Sequence, residues 1–213
     1  QAIEERDGVS GTLLLVFGFT WFIRQSAQFG DATLAANHIL LQLVSFSAFF
    51  LDGYAFVAES IVGEAVGARN VERFDLAVRR STELAAGTAL LLGLTLLGAG
   101  PALIELLTTI EAVRAGAIAL LPLTALYVVC SFAAFQLDGI FIGATRTRDM
   151  RNAALFSTGL FLLIWWPLAA IAGEAGLWVA FVVFVRARAA ALGWYYPDLR
   201  RAVATPAPGV IGR

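Results

Sequence analysis

The chain has 213 residues, 59% hydrophobic and 15% charged, with a mean hydropathy of +0.78 and a formal net charge of −1. That is more apolar surface than a soluble domain of this length can cover, so a water-soluble module is excluded and an all-α, polytopic membrane protein is expected. Every basic residue is an arginine, and the single cysteine, Cys130, rules out an internal disulfide.

A bilayer core about 30 Å thick needs about 20 apolar residues of helix, and six stretches meet that length. They are predicted near 9–29, 33–62, 78–99, 114–144, 151–172 and 175–196. Ahead of the first, Gln1 to Asp7 is mostly acidic, unlike the basic start of a secretory signal. With Gln1 first and Met150 the one methionine, the chain reads as a segment of something longer. Arg24, near the end of the first span, is expected to snorkel towards the interface.

The second span carries Asn37, His38 and Gln42, then Ala48-Phe49-Phe50-Leu51-Asp52-Gly53, and Glu59 two helical turns beyond Asp52 on nearly the same face. The fourth span repeats the pattern as Ala134-Phe135-Gln136-Leu137-Asp138-Gly139 and continues to Gly143, while the second ends on Gly63 and Gly67. Small residues four apart let membrane helices approach closely. An aspartate at the centre of a membrane helix costs roughly 2.5 to 3.5 kcal/mol on insertion scales, so Asp52 and Asp138 are candidates for an ion path or substrate cavity. Two readings stay open: a wet cavity, or burial as ion-pair partners. Glu59 extends a polar track or lies at the interface. Asn37, Gln42 and Gln136 line a cavity or bond neighbouring helices. Arg186 and Arg188, within the last span, are the natural counter-charges unless they snorkel. Pro122 and Pro167 fall inside helical runs, where each removes a backbone donor.

The connectors sort by charge. One side receives Arg6, then Arg69, Arg73, Arg79 and Arg80, then Arg146, Arg148 and Arg151, then Arg200, Arg201 and Arg213; the other receives Asp31, Glu105, Glu111, Arg114 and Glu174. The positive-inside rule puts both ends in the cytoplasm of a cell whose inner or plasma membrane holds the protein. Trp165, Trp166 and Trp178 are expected in the outer aromatic belt and Trp194, Tyr195 and Tyr196 in the inner one. The arginine clusters face anionic lipid and are too short and scattered for nucleic acid. The chain has no lysine-bearing phosphate loop and no paired-histidine metal signature, so neither a metal nor a cofactor is expected.

Ala35-Ala36-Asn37-His38-Ile39, Leu51-Asp52-Gly53-Tyr54-Ala55-Phe56, Ala58-Glu59 and Gly63-Glu64-Ala65-Val66-Gly67-Ala68-Arg69-Asn70 together resemble the eighth helix of MATE transporters, the multidrug and toxic compound extrusion proteins. Leu137-Asp138-Gly139-Ile140-Phe141-Ile142-Gly143-Ala144-Thr145-Arg146, followed by Met150-Arg151-Asn152, looks like the end of the tenth helix and the next loop in their DinF-like branch. The resemblance runs from about residue 8 to about residue 201. It implies that residues 1–213 form a single six-helix lobe, helices seven to twelve of twelve, whose N-terminal partner lobe is missing. It further implies antiport of small amphipathic, often cationic compounds against H⁺ or Na⁺ through a cavity between two lobes, and no enzymatic activity. Asp138 matches a tenth-helix acid that some branches use in a cation site; the seventh-helix stretch, Thr12 to Ile23, has no acid to complete it. The rival readings are a lipid-linked sugar flippase of the same superfamily, an intramembrane aspartyl hydrolase and a structural membrane subunit.

Overall fold

The computed structural model describes residues 2–205, and over them the long apolar runs form six helices: α1 (Ala2–Ser26), α2 (Asp31–Gly67), α3 (Val71–Leu107), α4 (Glu111–Gly143), α5 (Thr147–Ala172) and α6 (Glu174–Ala204). Arg213, counted above with the basic side, lies outside the described residues. All six predicted spans are helical, the first ending in a 3₁₀ turn over Ala27–Phe29, and most overrun the prediction. α2 and α3 have 37 residues each, roughly 55 Å of rise against a core of about 30 Å, so both extend into the polar region. The extra turns of α3 and α6 are polar, carrying Glu72, Arg73 and Asp75, and Asp198, Arg200 and Arg201. A hydropathy reading stops at such residues although the backbone does not. Among the described residues five helices, α2 to α6, are long and apolar enough to cross a membrane; α1, which begins Ala-Ile-Glu-Glu-Arg-Asp and ends Arg-Gln-Ser, is not among them.

Short links make sequence neighbours antiparallel, so α2, α4 and α6 run one way and α1, α3 and α5 the other. α4 is the hub, packed on α2, α3 and α6, while α1 lies against α5. Helices α2 and α4 close with the same device. Arg69 and Thr145 adopt left-handed backbone at φ 52° and 57°, and the following amides of Asn70 and Arg146 reach back to the carbonyls of Ala65 and Phe141. This 6→1 closure satisfies carbonyls that the helix end leaves open. Asn70 then caps α3 by accepting the Arg73 amide at 3.0 Å.

One core cluster joins Phe22, Tyr127, Phe161, Trp178, Phe181 and Phe184, with Phe22 stacked on Phe181 at 4.6 Å and Tyr127 on Phe181 at 4.5 Å. Trp178 departs from expectation. It is fully buried rather than in the outer belt, because Asn37 offers its indole N–H an acceptor at 2.9 Å inside the bundle. Trp166 and Trp194, at 66% and 82% exposure, do have their rings on the surface. The helical hydrogen-bonded run continues through Pro122 and Pro167, and also through Pro101 and Pro197.

Candidate ion and substrate site

Two glycines set the geometry around the acids. A Cβ on Gly139 would collide with the carbonyl oxygen of Ala55, and one on Gly143 with that of Glu59; Gly63 faces the Gly143 oxygen at 3.4 Å from the position its Cβ would take. The backbones of α2 and α4 therefore touch where Gly139-x-x-x-Gly143 runs, as small-residue spacing predicts. This contact pairs the two copies of the Leu-Asp-Gly motif on adjacent parallel helices. With Gly139 against Ala55, Asp52 and Asp138 lie within roughly 3 Å of each other in helix rise.

Their surroundings differ. Arg188 on α6 grips Asp138 with two bonds, Nη2 to Oδ1 at 2.7 Å and Nε to Oδ2 at 3.3 Å. The guanidinium side chain is 5% exposed and the carboxylate 24%. Bidentate geometry is the strong form of this pairing. Arg188 leaves its Nη1 buried without a partner. Asp52 is half-buried and makes no hydrogen bond or ion pair among the described residues. It is the unneutralised acid of the pair.

The other predicted residues are scattered. Glu59 is half-buried and lines a groove of about 440 Å³ with Phe56, Ser60 and Gly63, on the path from Asp52 to the end of α2. Asn37 is fully buried between α1, α2 and α6, where it accepts from Trp178 and donates to Ser26 Oγ at 2.7 Å. Gln136, also buried, donates to Ser81 Oγ at 2.5 Å and ties α4 to α3. Gln42 and His38 are exposed on the surface of α2. Arg186, two residues before Arg188, points to the opposite side of α6 and is exposed, with one N–H directed at Cys130 Sγ at 3.8 Å. Of the two predicted counter-charges, one takes the role.

Several polar contacts were not foreseen. Asp7 is 1% exposed and receives Arg151 Nη1 at 2.6 Å, clamping α1 to α5. Arg200 holds Asp75 bidentately at 2.8 and 2.7 Å, tying α6 to α3, and the Thr33 hydroxyl donates to Glu174 between α2 and α6. Arg114 donates to the carbonyls of Thr108 and Glu105 and so closes the C-terminal end of α3. The Asp7–Arg151, Asp75–Arg200 and Thr33–Glu174 partners are 125 to 144 positions apart and leave no local pattern.

A multi-pass helical bundle that keeps ionised side chains among its membrane-spanning helices has the makeup of a membrane transport protein. Residues 10–166 match the family model MatE, and the chain belongs to that family of membrane transporters. It is 33% identical over 192 residues to the DNA damage-inducible protein F of Escherichia coli (strain K12), covering 88% of this chain and 40% of that protein. It also resembles the Vibrio cholerae MATE transporter VcmN in its bent form, with a TM-score of 0.82 at 18% identity, over 91% of this chain and 44% of that one. A MOP superfamily transporter from Pyrococcus furiosus aligns with a TM-score of 0.81 at 16% identity, over 92% and 45%. These two likenesses show the fold. The chain thus spans less than half the length of the relatives it matches, as one six-helix lobe of a transporter does, and the family is one of transporters rather than enzymes.

Proposed function

We propose that the chain is the C-terminal lobe of a secondary antiporter that exports amphipathic, cationic organic compounds against H⁺ or Na⁺, completed by an N-terminal six-helix lobe. The membrane is the inner or plasma membrane, with both ends of the chain cytoplasmic. The observation that carries this reading is the inequality of the two acids. Asp138 is paired with Arg188, whereas Asp52, on the neighbouring helix and half-buried, has no ion-pair partner among the described residues. An anion so placed attracts either a cationic cargo or a coupling ion. Glu59 continues the acidic track towards the end of α2. A lipid-linked sugar flippase is less well supported, because its anionic cargo would meet this track with like charge.

The test is ethidium efflux from proteoliposomes under an imposed H⁺ or Na⁺ gradient, using this chain with and without the N-terminal lobe. Gradient-driven efflux is expected from the two-lobe protein only. Efflux by this chain alone, or none from the two-lobe protein under either gradient, contradicts the proposal.

A further inference from the structure

A second charged feature lies on a face of the bundle that α2 does not line. Helices α4, α5 and α6 enclose a groove of about 740 Å³, apolar on nearly every wall, and Arg186 projects into it. One N–H of its guanidinium is directed at Cys130 Sγ, a weak acceptor, at 3.8 Å. Among the described residues no carboxylate neutralises it, in contrast to Arg188. Arg186 stands about 18 Å of helix rise from Glu174 and about 12 Å from Trp194, near the middle of the membrane. The groove continues towards Trp194 and Tyr195 through a second hollow of about 370 Å³, with Phe156 and Ala190 common to both.

A guanidinium left unpaired at that depth is costly, and a carboxylate or sulfonate meeting it bidentately removes the cost. We infer that this groove is a binding site for single-chain anionic amphiphiles, with the acid head at Arg186 and the tail along the apolar channel to Trp194. A bilayer phospholipid does not fit: its phosphate stays at headgroup level, roughly 15 Å from the midplane, and cannot reach Arg186. The site is opposite in charge to the Asp52 track and shares only α4 with it, so it stands whether or not the cationic cargo does.

The experiment is fluorescence titration of the full chain in phosphatidylcholine nanodiscs with 11-(dansylamino)undecanoic acid, beside its uncharged carboxamide. Saturable binding of the acid is expected, at least tenfold tighter than that of the amide. Arg186→Gln should weaken it at least tenfold and Arg186→Lys less, while Arg24→Gln should leave it unchanged. Ala190→Trp keeps the charge and fills the groove, so it too should abolish binding, which separates site loss from misfolding in the Arg186 variant. Equal affinity for the amide, no saturable binding by the wild type, or affinity untouched by Arg186→Gln and Ala190→Trp overturns the proposal. Complete competition by phosphatidylglycerol in the nanodisc assigns the site to bulk lipid and overturns it as well.

Discussion

Asp52 and Asp138 share a motif, a helix direction and nearly a depth, yet one is bound by arginine and the other is not. The difference comes from α6, which brings Arg188 to α4 and gives α2 nothing equivalent. Removing one partner of a buried pair leaves the other charge unsolvated, at a cost of about 3 to 5 kcal/mol in soluble proteins. Asp138→Asn is therefore expected to lower the thermal midpoint of the purified protein by several degrees or more. Adding Arg188→Gln should recover a large part of the loss. An additive double variant would show that the two side chains are not coupled. The sequence displayed both acids and both candidate arginines, but not the pairing. Arg186 and Arg188 are two residues apart, hence on opposite sides of one helix, and only tertiary packing decides which side meets α4.

At the scale of elements, the contact of α2 with α4 depends on the absence of two side chains. Gly139→Ala or Gly143→Ala drives a methyl group into a backbone oxygen of α2, which cannot swing away as a side chain could. Each is expected to destabilise by about 1 to 3 kcal/mol, the usual range for overpacking. Gly159→Ala, with open space at its Cβ position, should be neutral or slightly stabilising in the same denaturation assay. Equal behaviour of the three variants would count against the close approach. At the end of α4, Thr145 holds a left-handed conformation that β-branched residues avoid. Thr145→Gly should raise stability by about 0.5 to 1 kcal/mol, the relieved strain exceeding the added chain entropy. A lowered midpoint would mean that the threonine side chain contributes more than its backbone strain removes. Helix number and direction were legible because each run of about 20 apolar residues is a local signal. Helix ends were not, since α3 and α6 extend into charged turns held by the Asp75–Arg200 pair across the bundle. Trp178 was misplaced for a related reason: a tryptophan near a helix end reads as an interfacial anchor, and only the buried Asn37 acceptor draws it inward.

For the whole molecule, the arginine asymmetry predicts which ends face the cytoplasm. With Cys130 replaced by alanine, single cysteines at Asp31 and Arg148 should differ towards an impermeant thiol reagent added to intact cells. Labelling at 31 and not at 148 is expected; the reverse contradicts the orientation. The central claim is that this lobe contributes one free carboxylate, Asp52, to transport, while Asp138 serves the fold. Its most direct test is cationic-dye efflux measured beside thermal stability for Asp52→Asn and Asp138→Asn in the two-lobe transporter. Asp52→Asn is expected to lose efflux at an unchanged thermal midpoint, and Asp138→Asn to lose stability. Normal efflux from a stable Asp52→Asn protein, or a fully stable Asp138→Asn protein that has lost efflux, would contradict the claim.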